Sequence, residues 1–168
     1  MQRRTLLKLG VGASAVLAAA GGAASLLQLG LKDGRLTETG RTVFRAVSRG
    51  VLEGTLPAEG SSRTKALDEL LVRVEELTSA LPPHAQDELA QLLSVLASAP
   101  GRRVMAGLEE SWNFATDEQV RNALQSMRVS RLALRQQAYA ALHDITAAAY
   151  FTEVSTWAQL GYPGPMKI

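Results

Sequence analysis

Apolar side chains in this chain recur every three or four residues, over stretches too long for strands. Leu67, Leu70, Leu71, Val74 and Leu77 make one such stripe; Leu89, Leu92, Leu93 and Leu96 make another. A 3.6-residue period puts each set on one face of a helix, and that face has to be buried against another element. Ala, Leu, Arg, Glu and Gln, all good helix formers, dominate the composition, and aromatic residues are only 5%. The pattern predicts an all-α protein, a small bundle of about five to seven helices with an N-terminal signal helix and an extended Pro/Gly C-terminal tail. Apolar residues, 46% of the 168, suffice for one core.

Local signals set the expected helix ends. Thr37 caps a helix reaching about Glu53, with Val43, Phe44, Val47, Val51 and Leu52 inward. Residues 54–62 hold Pro57, two glycines and two serines and read as a loop. Ser61 or Ser62 opens a second helix to about Ala80, which Pro82-Pro83 ends. A third runs from about His84 to Ala97, Pro100-Gly101 breaks the chain, and a short helix covers about Arg103 to Trp112. Thr116 and Gln119 form a capping box that starts the longest helix, running through Tyr139 to about Tyr150 with a bend near Gln137. A last turn spans about Val154 to Leu160, and Gly161 to Pro165 is extended. The expected organisation is a signal segment at 1–31, a helical domain at 32–160 and a tail at 161–168.

The N-terminus reads as an address. Arg3 and Arg4, then Leu6, Leu7 and Lys8, resemble the twin-arginine export signal. Leu9 to Leu31 follows, 23 residues without a charge, diluted by alanines and five glycines. About 20 apolar residues cross a bilayer, so the segment is compatible with retention as an inner-membrane anchor. It is also compatible with cleavage, for which Ala18 to Ala20 and Gly22 to Ala24 offer small-residue sites. The expected location is the periplasm, with the twin-arginine translocase as one partner. Gly10-Val11-Gly12-Ala13-Ser14-Ala15 matches a dinucleotide-binding spacing, but that motif needs a preceding strand, and only a short, basic-flanked run precedes it here. The glycines belong to the signal.

The net charge of +2 carries no hint of nucleic acid. Arg3, Arg4 and Lys8 lie in the leader, and the remaining 15 basic and 16 acidic side chains leave a body at −1. With no cysteine there is no disulfide, thiolate metal site, iron–sulfur cluster or CxxCH haem attachment. His84 and His143 are the two histidines, too few for a histidine metal set. Asp144 follows His143, but neighbours on a helix point about 100° apart. Glu75-Glu76, Asp87-Glu88 and Glu109-Glu110 read as solvated faces, and no serine elbow or phosphate-binding loop occurs. No catalytic residue, cofactor site or metal site is expected in this chain. Arg128, Arg131 and Arg135 form a basic stripe, either solvated or a dock for an acidic partner.

Half of the eight aromatic residues crowd into the end: Tyr150, Phe151, Trp157 and Tyr162. They either fold back to close the bundle or anchor the chain in another protein. The run Ala148-Ala149-Tyr150-Phe151-Thr152-Glu153-Val154-Ser155-Thr156-Trp157-Ala158-Gln159-Leu160-Gly161-Tyr162-Pro163-Gly164-Pro165 resembles the C-terminal signature of the gluconate 2-dehydrogenase subunit 3 family. That signature is an aromatic pair, a tryptophan, then Gly-Tyr-Pro-Gly-Pro, and a twin-arginine leader and helical body accompany it.

The resemblance implies a non-catalytic subunit of a flavin-dependent dehydrogenase of the glucose–methanol–choline type. The large subunit would hold FAD and lack its own leader. The small one would bind it, support flavin loading and carry it through the twin-arginine translocase, in some complexes beside a cytochrome c subunit. Tyr150, Phe151, Trp157, Gly161, Tyr162, Pro163, Gly164 and Pro165 are then the expected partner-binding residues. Two other expectations stand beside this one: a lone periplasmic helical ligand-binding protein, and an enzyme using His143 and Asp144.

Overall fold

Asp33-Gly34 turns the chain back on itself just before the first helix. In the computed structural model, which describes residues 29–162, both residues have positive φ, 51° and 76°. That geometry suits the tight two-residue turn joining antiparallel strands. The turn joins β1 (Leu31–Lys32) to β2 (Arg35–Leu36), with Leu31 opposite Leu36 and both buried. No strand was expected from the hydropathy pattern, because two residues carry no period.

Six α-helices follow among the described residues: α1 (Glu38–Val51), α2 (Ser61–Ser79), α3 (Pro83–Ala97), α4 (Ala99–Ala106), α5 (Asp117–Arg128) and α6 (Ala133–Phe151). A 3-10 helix, Val154–Leu160, closes the described chain. The protein is a small all-α bundle, as the apolar period predicts. Residues 1–28, most of the expected leader, and the final six lie outside the described residues.

Helix α1 is the central post, packing on α2, α3, α5 and α6. Its inward residues Val43, Phe44 and Val47 are fully buried beside Leu70, Leu71 and Val74 of α2, Leu93 and Leu96 of α3, and Val120 and Met127 of α5. Burying a Phe or Leu contributes roughly 1.5–3 kcal/mol, so this cluster supplies much of the driving force. On its outer edge Arg41, Arg45 and Arg49, one turn apart, reach Glu75, Asp68 and Asp117 on the flanking helices. These exposed or half-buried pairs set helix register more than they add stability.

The packed body takes in Gly30 and Leu31, two residues the sequence pattern assigns to the leader. The Gly30 N–H donates to Ser94 Oγ at 3.2 Å, and its carbonyl accepts from the Thr37 N–H. Thr37 caps α1 as expected, accepting from the Gly40 N–H, while its hydroxyl donates to the Leu29 carbonyl at 2.6 Å. A Cβ on Gly40 would sit 2.0 Å from the Gly30 carbonyl oxygen, so the entering strand can lie against α1 only at a glycine.

Three expected boundaries need correction. Pro100-Gly101 does not break the chain. It lies in the first turn of α4, where proline's missing N–H costs nothing, and Ser98 caps that helix by accepting from the Gly101 N–H at 3.1 Å. The short helix therefore starts earlier than Arg103. It also ends earlier than Trp112, because Gly107 takes a left-handed conformation after Ala106. Finally, the longest expected helix is two. It parts at Val129–Leu132, not at Gln137, because Ser130 offers the backbone other bonds. Its hydroxyl accepts from the Leu132 N–H at 3.2 Å, and its carbonyl accepts from the Gln136 side chain at 2.7 Å.

Candidate functional site

The aromatic C-terminus is built on the last turn of α6. Tyr150 is buried, and its hydroxyl donates to the Thr55 carbonyl at 3.3 Å, tying the helix end to the α1–α2 loop. Phe151 meets the Tyr150 ring edge-on, with centroids 5.2 Å apart. Arg73 of α2 donates to the Ala149 carbonyl, one of the acceptors a helix end leaves open. The chain then turns back. Thr156 donates to the Glu153 carbonyl at 2.7 Å and lies within 3.3 Å of the Tyr150 carbonyl, while the Trp157 indole N–H donates to the Phe151 carbonyl at 2.8 Å.

Gly161 ends the 3-10 helix at φ 67°, in the left-handed region that favours glycine. The Tyr162 N–H donates to the Trp157 carbonyl, and the two rings lie 5.4 Å apart at 54°. The expected group is therefore divided. Tyr150 belongs to the core, Phe151 and Trp157 are half-buried, and Gly161 and Tyr162 are exposed, Tyr162 at 48%. Tyr150 is spent on closing the bundle and is not free to enter a partner. Pro163, Gly164 and Pro165 lie outside the described residues, as do Arg3, Arg4, Leu6, Leu7 and Lys8, the expected export-signal residues.

His143 and Asp144 do touch, Nδ1 to Oδ1 at 2.9 Å, as sequence neighbours on the outer side of α6 with side chains 41% and 76% exposed. The imidazole stacks on Tyr139 one turn earlier, with centroids 5.4 Å apart. Both rings border a cleft of about 360 Å³ between α1, α5 and α6, which Gly50, Arg121, Asn122 and Gln125 also line. Arg121 already pairs with Glu53. A second cleft, about 670 Å³, lies over the start of α5, where Arg49 and Arg63 both hold Asp117. Among the described residues no three His, Asp or Glu side chains gather closely enough to hold a metal ion. Nor, among them, is any helix long and apolar enough to cross a membrane.

The basic stripe does not form on one helix, because Val129–Leu132 separates its members. Arg128 ends α5 and Arg131 lies in the connection, both exposed. Arg135 turns inward, donating to the Met105 carbonyl at 2.7 Å and to Ser126 Oγ at 2.9 Å, and so pins α4 to α5 and α6. Arg102, which the sequence left without a role, is buried and donates to the Leu108 and Glu109 carbonyls.

Sequence reasoning missed one exposed aromatic. Phe114, in the α4–α5 loop, is 81% exposed, the most of any large apolar side chain among the described residues. Its signal was present: two aromatics two residues apart outside any helix period, of which only Trp112 has a place in the core. Comparison of the chain with protein-family models, curated proteins and solved structures finds no match.

Proposed function

We propose that this protein is the non-catalytic small subunit of a flavin-dependent dehydrogenase complex, carrying its leaderless catalytic partner to the periplasm and holding it in a flavin-loaded state. The observation that carries the reading is the C-terminal run from Tyr150 to Pro165, an aromatic pair, a tryptophan and Gly-Tyr-Pro-Gly-Pro in that order. The twin-arginine leader supports it, since that route exports folded cargo and a flavoprotein must fold before it binds FAD. The division of the aromatic module supports it too. Part-buried bonds fix the turn, and Tyr162 stands at its outer edge, so little entropy is lost when a partner covers it. In this reading the FAD, the redox chemistry and any contact with a cytochrome c subunit belong to other chains.

Export tests the proposal. In cells expressing the flavoprotein with this chain, dehydrogenase activity should collect in the periplasm. Without the chain, or with Arg3→Lys and Arg4→Lys together, it should stay in the cytoplasm. Equal periplasmic activity in all three strains contradicts the proposal.

A further inference from the structure

Phe114 is held in place with its ring in solvent. The loop carrying it is fixed on both sides. Trp112 is 2% exposed, and its indole N–H donates to the Leu96 carbonyl at 2.7 Å. Ala115, on the other side, is also buried. The N–H groups of Phe114 and Ala115 both donate to the Ser111 carbonyl at 2.9 Å, closing a tight turn. One guanidinium then clamps the turn from outside it. Arg49 of α1 donates to the Trp112 carbonyl at 3.3 Å and the Ala115 carbonyl at 3.0 Å, and pairs with Asp117 at 3.1 Å. Between these fixed points a large ring faces water, 81% exposed.

We propose that this loop is a docking anchor, with Phe114 entering an apolar pocket on a protein partner whose pocket rim is cationic. Preorganisation is the first ground: a ring on a backbone already held by four hydrogen bonds, beside a side chain anchored by a fifth, loses little freedom on binding, the condition under which a single aromatic dominates an interface. Charge supplies the second. Glu110 and Glu118 flank the loop, are exposed, and make no ion pair among the described residues. Carboxylates beside an insertion point are repelled by an anionic bilayer and attracted by arginines or lysines around a protein pocket. The partner is taken to be the flavin dehydrogenase subunit, so its identity rests on the reading above, whereas the anchor rests on this loop.

The test uses the full chain in its native host, with a photoreactive phenylalanine analogue at position 114 or, separately, at 162. Crosslinked peptides are identified by mass spectrometry. In parallel, Phe114→Ser is measured for partner affinity and for its unfolding midpoint. The expected result is a crosslink from 114 to a peptide of the flavoprotein, an affinity about tenfold or more weaker in Phe114→Ser, and an unchanged midpoint. A crosslink from 162 to the flavoprotein with none from 114 overturns the anchor and leaves the function standing. A crosslink from 114 to one defined protein without flavin supports the anchor and overturns the function. Crosslinks from 114 to lipid or to a second copy, or an unchanged affinity in Phe114→Ser, overturn the anchor. No crosslink to any other protein from either position overturns both.

Discussion

Replacing Trp112 by Phe removes one hydrogen-bond donor and shrinks one buried ring, so its cost follows from one contact and one void. The indole N–H reaches the Leu96 carbonyl at 2.7 Å. Leu96 lies one residue before the end of α3, so its carbonyl is among the four a helix leaves unpaired, and Trp112 is the donor that serves it. Both groups are buried, and water does not replace the lost partner without opening the core. An orphaned buried acceptor costs about 1–3 kcal/mol. The smaller ring leaves a void that adds about 1 kcal/mol. Trp112→Phe should therefore destabilise the protein by about 2–4 kcal/mol, a large part of the roughly 5–15 kcal/mol typical of a domain. Urea unfolding followed by far-UV circular dichroism reads this as a lower midpoint at unchanged slope. The neighbouring substitution Phe114→Ser should leave the midpoint in place, because that ring touches solvent. A Trp112→Phe midpoint within about 0.5 kcal/mol of the parent would refute the buried bond.

Thr37→Ala removes both the α1 cap and the hydroxyl that holds the Leu29 carbonyl, and should cost about 1–2 kcal/mol in the same urea assay. Gly34→Ala places a side chain at φ 76° in the hairpin turn and should cost about 1–2 kcal/mol, read as a lower thermal midpoint. His143→Ala deletes an exposed contact with Asp144 and the stacking of the imidazole on Tyr139. It should cost about 0.5–1.5 kcal/mol and leave substrate turnover by the proposed complex at the parent rate, measured with an artificial electron acceptor.

The helices were legible because their apolar stripes are long: α2 and α3 begin and end within a residue or two of where the leucine pattern and Pro82-Pro83 place them. The errors lie where one residue type carries two meanings. Pro100-Gly101 reads as a break, yet in the first turn of a helix proline is welcome, and the deciding signal was Ser98 just before it. Ser130 is an ordinary residue inside a run of helix formers, and the break there depends on side-chain bonds that no period records. Asp33-Gly34 did carry a turn signal, obscured by its closeness to the uncharged leader.

The candidate binding residues were legible as types and not as places. A cluster of aromatics at one end said that something is covered there. Only the fold distinguishes Tyr150, committed to the core, from Tyr162, half exposed. The same holds for the arginines. Arg128, Arg131 and Arg135 share a spacing, but Arg135 turns into the body once the helix parts, while Arg49, which no stripe picked out, clamps the Phe114 loop.

The claim beneath the whole account is that this chain works by holding a larger flavoprotein. Light scattering coupled to flavin absorbance, on the tagged chain purified from periplasm after co-expression with that partner, tests it most directly. The account requires one species far heavier than 17.9 kDa, with FAD absorbance that bleaches when the partner's substrate is added. A colourless monomer of 17.9 kDa or less, in cells where the flavoprotein is folded and exported, would contradict it.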